Sequence, residues 1–193
     1  MSKNLNKPPI GKLQYRILVC LAQNKDITRN QIAAKIDEDL SNVVSAIEKR
    51  DNGYIEQSGE IEVKGSKRPI YKLSNRGAAF ILAYSEDSEI IKQTTKNYET
   101  LLTPGQSGLF SAIEAELSNW EITRKLLRML GHSYLLYGSI TLDNATRSAL
   151  LSKGMFTPKE QKELARIIPK FQLLKTEVQT ARDQLDAVLR GDA

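Results

Sequence analysis

The chain has one cysteine and one histidine in 193 residues. A single cysteine excludes an internal disulfide and suits a reducing cytosol, so a cytoplasmic protein is expected. The same scarcity leaves too few ligands for a zinc site, and no metal is expected. There is no Walker motif and no dinucleotide glycine fingerprint, so no cofactor is expected. No stretch approaches 18 consecutive apolar residues, which excludes a membrane-spanning helix. The polar start, Met1 to Pro9, lacks the apolar core of a signal peptide. Little remains for nucleophilic chemistry. Cys20 falls on the apolar stripe of a helix and reads as a small buried hydrophobe. His132 lies in an apolar helix and reads as a packed imidazole rather than a general base. The chain is not expected to be an enzyme.

What is present is an uneven distribution of charge. Residues 1–84 carry 14 Lys/Arg against 9 Asp/Glu, whereas residues 85–193 carry 14 of each. The whole net charge of +5 therefore sits in the first part. A basic module joined to a neutral one points to an electrostatic partner for the first only. Two domains follow, 1–84 and 85–193.

Within the first, Leu13, Ile17, Cys20 and Leu21 lie on one helical face. Ile27 suits a short edge strand. Thr28 and Gln31 have the spacing of a capping box, which starts a second helix whose buried face is Ile32, Ala33 and Ile36. Asp37-Glu38-Asp39 supplies a turn. A third helix runs from about Ser41 to Asp51, with Val43, Val44 and Ile47 facing inward. Ser41, Asn42, Ser45 and Lys49 face outward. Small polar groups at a helix start suit a groove about 12 Å wide, where Asn pairs with adenine and Ser with several bases. The competing reading is an ordinary solvated face, which Glu48 and Asp51 favour because carboxylates repel phosphate. Gly53 ends this helix at positive φ. Ile55, Ile61, Val63, Ile70, Tyr71 and Leu73 then mark two strands of a hairpin that turns at Gly65-Ser66. Lys64, Lys67 and Arg68 surround that turn, and Pro69 stiffens the return. Cations at a hairpin tip suit a phosphate backbone or the minor groove, and they are also common solubility devices.

Residues 10–84 resemble the winged helix-turn-helix superfamily of transcription regulators, of the MarR and PadR sort. The segment Gly65-Ser-Lys-Arg-Pro-Ile-Tyr-Lys-Leu-Ser-Asn-Arg-Gly77 carries the likeness: a Gly-x-x-Arg-Pro hairpin followed by Leu-Ser-x-x-Gly. The resemblance implies that the third helix reads the major groove of double-stranded DNA and that Lys67 and Arg68 hold the flanking backbone or minor groove. With Arg29 and Asn30 at the start of the second helix, the DNA-binding set is Arg29, Asn30, Ser41, Asn42, Ser45, Lys49, Lys64, Lys67 and Arg68. Lys49 stands where these families usually have Leu, and the N-terminal motif of PadR proteins is missing, so no family within the superfamily is assigned.

Residues 85–193 read as helical. Ile90, Ile91, Thr94, Tyr98, Leu101 and Leu102 form one stripe. After a break at Thr103–Gly108, Leu109, Phe110, Ile113 and Leu117 form another. Residues 122–137 are apolar on most sides, as in a buried helix. Thr157-Pro-Lys-Glu160 is a second capping box. It launches a heptad seam, Leu164, Ile167, Phe171, Leu174, Val178, Ala181, Leu185 and Val188, spaced 3-4-3-4-3-4-3. The seam serves either a homodimer, which is favoured, or a bundle within one chain. Tyr98, Trp120, Tyr134 and Tyr137 would line a pocket for an unknown small-molecule effector, or are plain core.

The expected fold is therefore mainly α with a small β-hairpin: an N-terminal winged helix followed by an all-α dimerisation domain. The expected function is a sequence-specific duplex-DNA-binding transcription regulator acting as a dimer. The alternatives are a winged-helix adaptor that binds protein, and a plasmid or viral replication or architectural DNA-binding protein.

Overall fold

The computed structural model describes residues 8–50, 52–98, 120–138, 156–160 and 162. The expected stripe over 109–117 and the seam from Leu164 to Val188 lie outside the described residues. What is described is mostly helical with one small antiparallel sheet. None of these helices is long and apolar enough to cross a membrane.

Helix α1 (Lys12–Gln23) buries Ile17, Leu18, Cys20 and Leu21, and Leu13 packs at the edge of that core. Strand β1 (Ile27–Thr28) leads directly into α2 (Arg29–Ile36). The capping box is formed: the Gln31 amide donates to Thr28 Oγ1 at 3.3 Å, and the Thr28 amide donates to Gln31 Oε1 at 2.8 Å. Asp37 ends α2 in the left-handed region, at φ 48°. Helix α3 (Leu40–Arg50) follows, its first turn closed by the Val43 amide on the Asp39 carbonyl. Its buried face is Val43, Ala46 and Ile47. Val44, expected inside, is half-exposed, and Ala46 takes the inward place. Both sets span about 100° of the helix, so spacing alone does not choose between them; the core lies on the side of Val43, Ala46 and Ile47.

Gly53 has φ +78° and turns the chain into β2 (Ile55–Val63), which pairs with β3 (Ser66–Leu73). The hairpin loop is Lys64-Gly65, one residue earlier than expected. Both residues have positive φ, 52° and 75°. That is what a two-residue loop matched to strand twist requires. An irregularity in register between Gln57 and Gly59 marks a bulge at Ser58. The sheet order is β1-β3-β2, but β1 reaches only Tyr71 and Ile70. Pro69 therefore has a ladder partner on the β2 side alone, which is how a proline is accommodated in the middle strand.

Helix α4 (Asn75–Tyr84) is capped by Ser74, whose Oγ accepts from the Gly77 amide at 3.1 Å and donates to the Gly53 carbonyl at 2.5 Å. Every residue from Gly77 to Ala83 is buried. The sheet and α1 cover one side. Helix α6 (Trp120–Tyr137) covers another, with Gly131 against the α4 backbone. Helix α5 (Ser88–Asn97) packs on α1 and α4, burying Ile90, Ile91 and Thr94. One core cluster therefore runs from Ile17 to Leu130, with no gap in packing at the boundary expected after residue 84. Arg124 and Arg128 fasten α6 to the α4–α5 elbow through Glu86, at 2.9 and 2.6 Å. The capping box at Thr157 and Glu160 is present, and Glu160 also pairs with Lys125 at 2.7 Å. Helix α6 is not buried throughout: Leu136 and Tyr137 at its end are 69% and 45% exposed.

Tyr98, just beyond α5, is buried, and its phenol oxygen accepts from the Leu73 amide at 3.1 Å. Burial, opposed by the Leu73 amide and reinforced by the carboxylates of Asp26 and Glu56, pushes its pKa up to about 12. The folded protein thus holds this proton more tightly than an unfolded chain with a phenol pKa of about 10. The associated stability is complete below pH ~10 and falls as pH rises toward 12. Tyr98→Phe deletes the acceptor for a buried amide. It is expected to cost about 1–3 kcal/mol at neutral pH and to remove this part of the alkaline loss. Urea unfolding of both proteins between pH 7 and 12 checks both effects.

Candidate nucleic-acid interface

The proposed contact residues come from three elements: the start of α2, helix α3 and the β2–β3 hairpin. Thr28, Arg29 and Asn30 from the first, Leu40 and Val44 from the second, and Arg68 and Pro69 from the third line one cavity of about 250 Å³. The capping box fixes where α2 begins, and the pairing of Thr28 with Ile70 fixes that start beside β3. The three elements are therefore held on a common surface by local sequence and sheet register.

Asn30, Ser41 and Asn42 are exposed, and Ser45 is half-exposed. The Asn42 side chain donates to Glu38 Oε1 at 2.9 Å. This bond, with smaller help from the Asp39 backbone and Arg16, holds the Glu38 carboxyl below its usual pKa. Asn42 keeps a second N–H and its carbonyl oxygen for another partner. Lys49 lies on α3, but its side chain is outside the described residues.

Arg29 is engaged within the protein. Its guanidinium pairs with Glu48 at 2.8 Å and lies over the Tyr71 ring at 5.1 Å. Its Nε is buried without a hydrogen-bond partner. The arrangement ties α2 to α3 and to β3, so in this geometry Arg29 positions the surface instead of presenting a free cation. A partly exposed ion pair of this kind contributes little stability, so a phosphate can compete with Glu48 for the guanidinium.

At the hairpin, Lys64 and Lys67 are exposed and Arg68 is half-buried. Strand β2 brings acids alongside these cations. Glu62 lies opposite Lys67, and Glu56 is paired with Lys72 at 3.1 Å, while Glu60 faces Pro69. Sequence reasoning does not pair Glu62 with Lys67, Glu56 with Lys72 or Glu48 with Arg29. The alternation of Glu56, Glu60 and Glu62 was the available signal. Leu40, which is 40% exposed, was also missed as part of this surface.

A larger open groove, about 870 Å³, lies on α1, the end of α2 and the α4–α5 elbow. Its lining includes Tyr15, Arg16, Val19, Cys20, Lys35 and Tyr84. Burial pushes the Cys20 thiol pKa up, against a small opposing effect of Lys35, so the thiol is held in its unreactive form. His132 stands edge-on to Tyr84 at 5.0 Å, and burial, assisted by Arg128, lowers its pKa. The four aromatic residues considered for an effector site have separate roles. Tyr98 holds Leu73, the Trp120 indole donates to Ser88 Oγ at 2.7 Å, Tyr134 packs on the core, and Tyr137 is exposed. Among the described residues, no group of His, Cys, Asp or Glu is placed to hold a metal ion. No family model, curated protein or solved structure matches this chain.

Proposed function

We propose that residues 1–84 are a winged helix-turn-helix module and that the chain is a sequence-specific transcription regulator that binds duplex DNA as a dimer. The observation that carries this reading is the common surface made by the start of α2, the first half of α3 and the β3 return of the hairpin, where they line one cavity. On this reading α3 enters the major groove with Ser41, Asn42 and Ser45 toward base edges. Lys64, Lys67 and Arg68 lie along the flanking backbone. Its action is stoichiometric: occupancy of a site blocks or recruits polymerase. The dimer rests on the heptad spacing from Leu164 to Val188, and two linked modules read two half-sites.

Substituting Asn42 or Ser45 by alanine is expected to relax discrimination at particular base pairs by about 1–3 kcal/mol where a paired contact is lost. Binding of each variant to a panel of single-base-pair variants of a selected duplex measures this. Losses equal across the panel would contradict base reading by α3.

A second reading, an adaptor that binds an acidic and basic protein surface, is favoured by Glu56, Glu60 and Glu62 on β2 and by exposed Asp37 and Asp39 before α3. A polyanion is repelled by these carboxylates, and a partner of mixed charge is not. Absence of duplex binding at low salt selects this reading.

A further inference from the structure

The cavity between α3 and the hairpin has an apolar part that phosphate binding does not use. Leu40 and Val44 are one helical turn apart on α3, and Pro69 on β3 lies across from them. Leu40 is one of only three large hydrophobic side chains exposed among the described residues, and the other two are at the far end of α6. Leu40 immediately precedes the polar row of Ser41, Asn42 and Ser45. Thr28, Arg29, Asn30 and Arg68 complete the lining, and no carboxylate contributes to it. The wall is therefore apolar where α3 meets the hairpin, with the Arg68 cation beside it and Arg29 paired with Glu48 behind.

An occupant must be apolar at one point and anionic close by. In duplex DNA the major-groove edge meets that description at thymine alone among the four bases, through its C5 methyl group. On the DNA-binding reading, the phosphates flanking that base supply the charge that Arg68 complements. We propose, on the footing of the DNA-binding reading above, that Leu40, Val44 and Pro69 form a seat for a thymine methyl. The protein then prefers sites carrying thymine at the step covered by the start of α3. Seating the methyl removes it and the exposed face of Leu40 from water, and neither change depends on salt.

The test uses the full chain and two duplexes of equal length, alternating dA·dT and alternating dA·dU. They have the same charge and the same hydrogen-bonding groups, and differ in the C5 methyl. The wild type is expected to bind the thymine duplex about four-fold tighter, the factor corresponding to ~0.8 kcal/mol for one buried methyl-sized group. The ratio should be the same at low and moderate salt, although both affinities fall as salt rises. Leu40→Ala with Val44→Ala is expected to bring the ratio to one. Leu40→Ala alone, at an exposed position that folding tolerates, should lower it part of the way. Equal binding of the two duplexes by the wild type overturns the methyl seat and leaves DNA binding standing. A ratio that survives in the double variant also overturns it, because the methyl is then read elsewhere. Failure to bind either duplex at low salt overturns the DNA-binding reading, and this proposal with it.

Discussion

Gly77→Ala is expected to destabilise the fold by about 3 kcal/mol or more, at the upper end of what overpacking a rigid site costs. A Cβ at this position would fall inside the contact distance of the Tyr54 carbonyl oxygen, would stand 2.9 Å from its carbon, and would meet Leu73 Cδ2 at 3.2 Å. The obstruction is backbone, so no side-chain rotation relieves it. The same carbonyl accepts from the Ser74 amide at 3.0 Å, and moving it would break that link between the chain entering β2 and the start of α4. The Leu-Ser-x-x-Gly pattern thus has a physical reason here: Ser caps α4, and Gly lets the cap sit against the chain entering β2. Thermal unfolding reads the loss. A variant as stable as wild type would mean that the Tyr54–Ser74 contact is not a fixed part of the fold. Because α4 joins the sheet to α6, the loss should appear as one cooperative transition of the described core.

Replacing Lys64, Lys67 and Arg68 together by alanine is expected to weaken duplex binding by an order of magnitude or more at low salt. The logarithmic salt slope should fall by about three, roughly one for each phosphate contact removed. The loss should be the same for every duplex sequence, unlike that of the α3 variants. These side chains are exposed or half-buried at the hairpin tip, so the fold is expected to survive. The acids of β2 set the size of the effect. With Glu62 facing Lys67 across the ladder, part of that charge is already compensated. Glu62→Gln consequently should strengthen binding, in the direction opposite to the triple variant. Duplex titrations at several salt concentrations measure both. An unchanged slope in the triple variant would remove the hairpin from the interface.

The legible parts of this chain were the local ones. Both capping boxes lie within four residues, and their side chains meet wherever the helix forms. The short strand at Ile27, the left-handed Gly53 and the turn at Asp37–Asp39 were legible for the same reason. The hairpin loop was misplaced by one residue because Lys64 adopts positive φ, where a side chain is disfavoured, and Gly65-Ser66 is the better local turn signal. Register with β3 outweighs that preference.

What sequence reasoning missed was set by tertiary approach. Arg29 and Glu48 are 19 positions apart and meet only because α2 crosses α3. Arg29 was assigned to DNA as a cation at a helix start, a correct account of its charge that omits its neighbour. Val44 looked interior by type, but its side of α3 opens onto the cavity. The packing across residue 84 was hidden because α4 is buried from both sides only once α6 arrives. There a Cβ on Gly131 would stand 2.5 Å from the Ala79 carbonyl oxygen and 2.7 Å from the Ala83 amide. That glycine was the signal available in the sequence, inside an otherwise apolar helix.

If the surface shared by α2, α3 and the hairpin binds duplex DNA as proposed, a salt titration of the full chain will register it. Measurable binding at low salt is expected, with a linear fall of log affinity with log salt and a slope that shrinks when the three hairpin cations are removed. No binding to any duplex at low salt, by a chain shown to be folded, would contradict it.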